Sequence, residues 1–258
     1  MRPNYILAIA YRDFIKFLRD PARILGSLIF PVVFVGIMGI SMDSNLGAEV
    51  GFSFLLFTFT GIYAQTLFQS AAIGMVYMIE DRENDFSQEI FVSPISRYAI
   101  VLGKIAGESI VAMAQGIAIL ILGMFIGVGL SLTQFIGLWI VGWIVCFFGG
   151  AFGVLILSNL SSQRAANQIF PFVMLPQFFL GGVFAPIRVL PWYLDIASRL
   201  TPMRYVVDLT RAVYYTDLAD YSQVVLESGW FNLGVIAVFS GIFMVIGTFI
   251  FVRSERNR

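Results

Sequence analysis

The chain has 258 residues and a formal net charge of zero, with 59% of its residues hydrophobic and 12% charged. Soluble domains carry about 25% charged residues, so this composition excludes a soluble globular protein and indicates a polytopic membrane protein. The sequence has no histidine and a single cysteine, Cys146, which excludes internal disulfides, Cys/His metal sites and His-dependent catalytic triads.

Residues 4–23 are predicted to form an amphipathic helix. Basic side chains recur on one face (Arg12, Lys16, Arg19, Arg23) and apolar side chains on the other (Ile6, Ala10, Phe14, Phe17). Such a helix is typical of the membrane interface, and residues 1–23 are assigned to it; a juxtamembrane turn with scattered basic residues is the alternative. The sequence Arg19-Asp20-Pro21 is expected to end the helix before the first span.

Six apolar runs follow, each near the ~20 residues that cross a bilayer as a helix. They are residues 24–42, 52–79, 98–128, 132–158, 169–187 and 231–252, with short connections at 43–51 and 129–131. The second and third runs exceed what a bilayer requires, so tilt or extension into water is expected. The predicted fold is an all-α polytopic membrane protein with six transmembrane helices, formed by residues 1–258 as one domain.

The distribution of basic residues predicts the orientation. Twelve of the sixteen Lys and Arg residues fall on the side of the membrane that holds the N-terminus: Arg2, Arg12, Lys16, Arg19, Arg23, Arg82, Arg97, Lys104, Arg164, Arg253, Arg256 and Arg258. Cytoplasmic segments are enriched in Lys and Arg. Both termini and the loop at 80–97 are therefore predicted to be cytoplasmic.

The most charged internal segment is residues 80–104, EDRENDFSQEIFVSPISRYAIVLGK. Its charges cannot lie in hydrocarbon, so it must hold an aqueous loop, long enough for a short helix that ends before Ser93-Pro94. Phe86 and Ile90 lie one helical turn apart, with Phe91 beside them. This apolar surface outside the membrane predicts a docking element.

Residues 188–230 form the second unusual segment. Pro186 just before it, and Pro191 and Pro202 within it, leave pieces that are too apolar for a free loop and too interrupted for a span. Half-helices that re-enter the outer leaflet fit this pattern. Two sets of charges, Asp195 with Arg199 and Arg204 with Asp208 and Arg211, have helical spacing and are interpreted as structural ion pairs; a contact with substrate is the alternative.

Polar residues inside the spans are the remaining candidates for function. Thr58, Gln65 and Gln69 share one face of the second span, and Gln115 and Gln177 lie in the third and fifth. A polar stripe can line a pathway or hold helices together through hydrogen bonds, and both interpretations stay open. Glu108 lies one turn after Lys104, which favours a salt bridge over a proton relay. The sequence has no G-x-x-x-x-G-K-[ST] motif, so the chain has no P-loop for ATP.

Two stretches resemble the ABC-2 permeases, the membrane subunits of type V ABC exporters, and the resemblance covers essentially the whole chain. In residues 81–104 the matching positions are Asp81, Arg82, Glu83, Phe86, Glu89, Val92, Ser93, Pro94, Ile95, Ser96, Arg97, Leu102, Gly103 and Lys104. In residues 176–213 they are Pro176, Gly181, Gly182, Phe184, Pro186, Leu190, Pro191, Trp192, Pro202, Tyr205, Asp208 and Arg211. The sequence is most similar to the drug-resistance and nodulation-factor branch.

The resemblance implies a role for each segment. The N-terminal helix would lie at the interface, and residues 80–97 would form the coupling-helix loop, which contacts a separate ATPase through Glu83, Phe86, Glu89, Ile90, Phe91, Pro94 and Arg97. Residues 188–211 would form an outer re-entrant gate, with Phe184, Pro186, Pro191 and Trp192 at the gate. The candidates that line the pathway are Thr58, Gln65, Gln69, Phe172 and Gln177.

The resemblance also implies the partners. Two permease chains, as a homodimer or a heterodimer, would lie in the bacterial or archaeal cytoplasmic membrane above two P-loop ATPase subunits that bind ATP and Mg²⁺. No catalytic residue, metal site or cofactor is expected in this chain, and no nucleic-acid partner. The cargo would be a hydrophobic or amphiphilic molecule such as a drug, a lipid or a lipid-linked glycan. A membrane-embedded lipid-modifying enzyme, with a charged site near Asp195 and Asp208, is the alternative. The lack of an inverted repeat argues against the further alternative of a secondary transporter.

Overall fold

The computed structural model describes residues 3–83, 97–158, 160, 162–188 and 190–256. Every regular element in these ranges is a helix, so the all-α prediction is confirmed for this part of the chain. The helices are α1 (Pro3–Leu18), α2 (Pro21–Pro31), a π-helical stretch (Val32–Gly39), α3 (Ile40–Val50), α4 (Phe54–Glu83), α5 (Arg97–Phe125), α6 (Leu132–Leu157), α7 (Gln163–Leu180), α8 (Trp192–Arg199), α9 (Pro202–Tyr214), α10 (Tyr221–Val224) and α11 (Gly229–Arg256).

Five helical segments among the described residues are long and apolar enough to cross a membrane. They are Pro21–Asn45, Phe54–Ile79, Ala99–Phe125, Leu132–Ile156 and Tyr221–Ile250. The predicted fifth span, residues 169–187, corresponds to α7, which begins and ends earlier than expected. α7 has 18 residues, or about 27 Å of helix, and polar side chains occupy its first turns. Length and composition alone therefore do not mark α7 as a span.

The break between α1 and α2 lies at Arg19-Asp20-Pro21, as the sequence predicts, but the predicted helix over residues 4–23 is too long, because α1 ends at Leu18 and Arg23 belongs to α2. The Asp20 side chain accepts a hydrogen bond from the Arg23 backbone N–H at 2.9 Å, and Pro21 occupies the first position of α2. Both features are typical of a helix start. Farther along, Pro31 lacks a backbone N–H and so interrupts the α-helical hydrogen bonding. The π-helical stretch begins at the next residue.

The predicted connection at residues 43–51 is wrong, because α3 continues to Val50 and only a short turn at Gly51 precedes α4. Asn45 donates its side-chain amide to the Ser41 carbonyl, so this polar residue bonds within the helix instead of ending it. The Asp43 carboxylate accepts a hydrogen bond from the Leu55 backbone N–H at 3.2 Å. Asp43 thus serves the first turn of α4, whose N–H groups have no partner inside the helix.

Helix α4 forms the centre of the bundle, and most of its membrane-spanning part is buried. It packs against α5, α6, α7 and α9. Glycines on α6 permit the closest of these contacts: a Cβ at Gly149 would lie 2.3 Å from the Phe68 carbonyl oxygen, and one at Gly153 would lie 2.5 Å from that of Ala72. The backbones of α4 and α6 therefore lie too close for a larger residue at either position.

The predicted half-helices between the fifth and sixth spans are α8 and α9. Every residue of α9 except Val213 is buried, although the helix has only 13 residues. The Gln134 side chain at the start of α6 donates to the Tyr214 carbonyl at 2.8 Å, and the Tyr214 hydroxyl donates to the Gly129 carbonyl at 2.9 Å. α9 is thus held among the ends of the long helices. We call this end of the bundle the α9 end and the opposite one, where α1 packs on α5, the α1 end.

Candidate functional site

A cavity of about 310 Å³ lies between α2, α4, α5 and α7. Its polar wall comes mainly from α4, where Gln65 and Gln69, and beside them Thr66 and Ser70, are spaced by one helical turn and so share a face. Gln115 of α5 adds a third amide. The remaining lining residues are Arg23, Gly26, Ser27, Phe30, Pro31, Ile73, Tyr77 and Phe178.

Several hydrogen-bonding groups in this wall have no partner within the part of the chain that the structure describes. The Gln65 amide N–H donates to the Gln69 side-chain oxygen, but Gln65 Oε1, in a side chain only 1% exposed, accepts no hydrogen bond. Among the described residues none pairs with the side chains of Thr66, Ser70 or Gln115. A buried polar group without a partner costs about 1–3 kcal/mol. Among these groups that cost applies to Gln65 Oε1, while the polar groups of Thr66, Ser70 and Gln115 are available to hydrogen bond with a molecule in the cavity.

A chain of buried ion pairs lies at the α1 end of the cavity. Arg23, which lines the cavity, lies 3.1 Å from the Glu108 carboxylate, and Lys104 bridges Glu108 at 3.3 Å and Asp13 at 3.0 Å. The predicted Lys104–Glu108 salt bridge is confirmed. The chain joins α1, α2 and α5, and the Arg23 guanidinium also lies 4.4 Å from the centre of the Tyr77 ring on α4.

Gly74 provides the space that Glu108 occupies. A Cβ at Gly74 would lie 2.2 Å from Glu108 Oε2. We expect Gly74→Ala to push this carboxylate away from Arg23 and to lower the free energy of unfolding by about 1–3 kcal/mol, measured by thermal unfolding in lipid nanodiscs. Gly241→Ala is the matched control, because nothing lies within 4 Å of its added Cβ. Equal melting temperatures for the two variants would contradict the assigned position of Glu108.

Phenylalanines close the cavity toward the α9 end. Ring centres of Phe30 and Phe34 lie 4.2 Å apart, those of Phe34 and Phe184 5.0 Å, and those of Phe178 and Phe184 6.4 Å. Phe184, a predicted gate residue, is therefore packed above the cavity. The other predicted gate residues, Pro186, Pro191 and Trp192, lie on the surface.

The charged residues of α8 and α9 are paired differently from the prediction. Asp195 binds Arg199 at 2.9 Å, as expected, and also Arg204 at 3.1 Å. Asp208 instead accepts hydrogen bonds from the backbone N–H groups of Leu226 and Glu227, at 2.7 and 2.9 Å, and from the Asn232 amide at 2.8 Å. The predicted pairing of Asp208 with Arg204 and Arg211 is wrong, because Asp208 points to the start of α11.

Arg211 points from α9 toward α4. Its guanidinium donates to the backbone carbonyls of Gly182 and Phe57, at 2.9 and 3.2 Å, and lies 3.5 Å from the centre of the Phe57 ring. It is buried without a carboxylate partner among the described residues. Arg211 therefore ties α9 to α4 and to the turn after α7.

The predicted pathway residues are not all brought together. Gln65 and Gln69 line the cavity, whereas Thr58 is buried against Gly39. Phe172 is 78% exposed on the outside of α7, and Gln177 is buried with its amide on the Val173 carbonyl. Sequence reasoning missed most of the other lining residues, among them Arg23, Thr66, Ser70 and Tyr77.

Most of the predicted ATPase contacts lie outside the described residues. These are Phe86, Glu89, Ile90, Phe91 and Pro94. Glu83 ends α4 and Arg97 begins α5, and both helix ends lie at the α1 end of the bundle. These two helix ends therefore lie at the same end of the bundle as the ion-pair chain.

Comparison with known proteins identifies a family. The sequence profile described as ABC-2 type transporter matches residues 4–215. A Cyanophora paradoxa protein named as a transport permease, ycf38, is 25% identical over 263 residues, which cover 95% of this chain and 87% of that protein. An Escherichia coli (strain K12) protein named as a multidrug ABC transporter permease, YbhR, is 30% identical over 161 residues, 58% of this chain and 40% of that protein. Nodulation protein J of Rhizobium meliloti (strain 1021) is 23% identical over 198 residues, 74% of each chain.

Proposed function

Because the chain belongs to the ABC-2 type transporter family, we propose that it is the membrane-spanning subunit of an ATP-driven exporter. It moves a hydrophobic or amphiphilic substrate out of the cell, and a separate P-loop ATPase in two copies binds ATP and Mg²⁺. The observation that carries this proposal is the polar cavity inside a bundle of apolar helices. Polar groups at such depth are costly unless they serve a pathway or hold helices together.

The cavity is the substrate site in this proposal. Gln65 and Gln69 contact the polar part of the substrate, and Phe30 and Phe178 contact its apolar part. The cluster of Phe30, Phe34, Phe178 and Phe184 separates the cavity from the α9 end, so these rings must move apart before substrate can leave. This fits the predicted gate at residues 188–211, which follows Phe184 directly in the chain.

Coupling to the ATPase uses the α1 end. The segment at 80–97 joins α4 to α5, and Lys104 lies only two helical turns after Arg97, where α5 begins. A displacement of this segment by the ATPase would move Lys104 and Glu108, and with them Arg23 at the cavity. The ion-pair chain thus links the ATPase contact to the substrate site.

The proposed orientation places both termini and the α1 end in the cytoplasm of a bacterial or archaeal cell. Support comes from the twelve of sixteen basic residues on that side. Two copies are proposed to pair as a homodimer or a heterodimer. Exposed apolar residues on α2 and α7 provide candidate faces for the second copy: Leu25, Ile29, Phe172, Leu175 and Phe179.

The contacts of Asp195 and Asp208 do not favour the alternative of a lipid-modifying enzyme. The Asp208 carboxylate is fully engaged by backbone and Asn232. Hydrogen bonds from Arg199 and then Arg204 lower the pKa of Asp195, so this carboxyl stays ionised at neutral pH and is a poor proton donor. Both acids are thus engaged by neighbouring groups of this chain, which favours a structural role for them.

The proposal is tested by transport in proteoliposomes that contain the permease and its ATPase. A fluorescent alkyl glycoside, a fluorescent phospholipid and a hydrophobic cationic dye serve as probes. We expect ATP-dependent movement of at least one probe, abolished when the P-loop lysine of the ATPase is replaced. Lipid modification by the permease alone, lost in Asp208→Asn without loss of folding, would instead favour the enzyme.

A further inference from the structure

The charged side chain that the structure describes in the wall of the cavity between α2, α4, α5 and α7 has a carboxylate partner. Among the described residues that line it, Arg23 is the charged one, and its guanidinium is neutralised by Glu108 at 3.1 Å. Next to it, Lys104 lies between Glu108 and Asp13, and Asp13 also binds Arg12 at 2.8 Å. A cationic group in the cavity would meet no carboxylate in the wall, and an anion would have to compete with Glu108 for Arg23.

The polar side chains of the wall are hydrogen-bonding groups without charge. Gln65 Oε1 is buried and can only accept, and the Gln115 amide oxygen has the same capacity. These two oxygens pair only with O–H or N–H donors of a ligand, while the amide N–H groups and the hydroxyls of Thr66 and Ser70 can also donate to ligand acceptors. A site built to pair with donors rejects analogues that lack them, because its own polar groups are then left unpaired.

The size and the apolar end of the cavity limit how much of a ligand it encloses. A volume of about 310 Å³ lies at the lower end for small-molecule sites. It holds a head group, while Phe30 and Phe178 at one end provide an apolar surface on which a tail can begin.

Resting on the proposed export function, we propose that this cavity selects an uncharged head group that carries hydroxyl or amide N–H donors on an apolar tail. Gln65, Gln69 and Gln115 pair with the donors of the head group. The Arg23–Glu108 pair keeps the site neutral and so disfavours cationic and anionic head groups alike.

The test measures binding to the full-length permease alone, extracted into lipid nanodiscs with a styrene–maleic acid copolymer so that no detergent competes. Five probes share a dodecyl or lauroyl tail. Dodecyl maltoside carries hydroxyl donors, and lauroylglycinamide carries amide donors. Dodecyldimethylamine oxide has no donor, dodecyltrimethylammonium is a cation, and dodecyl phosphate is an anion. Radiolabelled probe is measured by equilibrium dialysis, with empty nanodiscs subtracted.

We expect one or both donor-bearing probes to bind at least about tenfold more tightly than the other three. The ratio of the affinities for dodecyl maltoside and lauroylglycinamide identifies whether hydroxyl or amide donors are preferred. Gln65→Leu should weaken donor-bearing probes by about tenfold, the value of one well-made hydrogen bond. Gln223→Leu makes the same change on an exposed residue and should leave affinity within about twofold. Equal binding of the amine oxide, the cation or the anion would overturn the proposal, as would an equal effect of Gln65→Leu on all five probes.

Glu108→Gln provides a second test that does not depend on weakening the site. It removes the negative charge beside Arg23, while Lys104 keeps Asp13 as a partner. Dodecyl phosphate should then bind about tenfold more tightly than it binds the wild type, and an unchanged preference would overturn the role assigned to the Arg23–Glu108 pair. Since no ATPase is present, these results stand apart from the export proposal, which fails only if transport and ATPase stimulation fail.

Discussion

Lys104→Met is expected to lower the free energy of unfolding by about 3–5 kcal/mol. Lys104 is buried and bridges Asp13 of α1 and Glu108 of α5, at 3.0 and 3.3 Å. Methionine preserves most of the volume but removes two buried contacts to charged groups, which contribute about 1.5–3 kcal/mol each. Asp13 is left with Arg12 and Glu108 with Arg23 as their cations. The loss should separate α1 from α5, because the Asp13–Lys104 contact joins them.

The measurement is thermal unfolding in nanodiscs, together with limited proteolysis of α1. Arg19→Met is the control, since Arg19 is exposed and exposed charges contribute little. If Lys104→Met melted at the same temperature as Arg19→Met, the ion-pair chain would not be a stabilising feature.

Asp208→Asn should be the second most damaging substitution, with a loss of about 3 kcal/mol. The carboxylate accepts hydrogen bonds from two backbone N–H groups and from the Asn232 amide, and it is buried. Hydrogen bonds to a charged acceptor contribute about 1.5–3 kcal/mol each. Asparagine has one side-chain oxygen that can accept these hydrogen bonds, where aspartate has two. Its NH2 group would face N–H donors, with which it cannot pair.

Unfolding of Asp208→Asn is compared with that of Asp217→Asn, the same change at an exposed position. Adding Asn232→Asp to the first variant should restore part of the stability, because the carboxylate and the amide then exchange places. A fully stable Asp208→Asn variant would show that Asp208 does not anchor α9 to α11. That result would favour a catalytic role for this acid, as in the alternative of a lipid-modifying enzyme.

Local signals in the sequence predict helix ends well. Asp20-Pro21 places a capping side chain and a proline where α2 begins, and Ser131 accepts from Gln134 at the start of α6. The capping groups lie within a few residues of the helix end they serve. Asp43 shows the limit, because its polarity predicts a loop while its actual partner, Leu55 N–H, lies across a turn in the next helix.

The site depends on contacts between helices that are distant in sequence. The stripe of Gln65 and Gln69 follows from helical spacing, but nothing in that spacing places Arg23 at the same cavity. Asp208 and Arg211 are three residues apart and were predicted to pair, yet burial of α9 on several sides directs them to different neighbours. Helical spacing identifies which residues share a face, and tertiary packing decides what that face contacts.

The most direct test of a permease driven by a separate ATPase is the ATPase rate of the partner, reconstituted with and without this chain. Wild type is compared with Phe86→Asp, which places a charge on the predicted apolar face of the coupling segment, and with Gln88→Asp, which places it on the opposite face. We predict that wild type and Gln88→Asp stimulate the ATPase, while Phe86→Asp folds normally and stimulates it at least about tenfold less. Equal ATPase rates with wild type, with Phe86→Asp and without the permease would contradict the account.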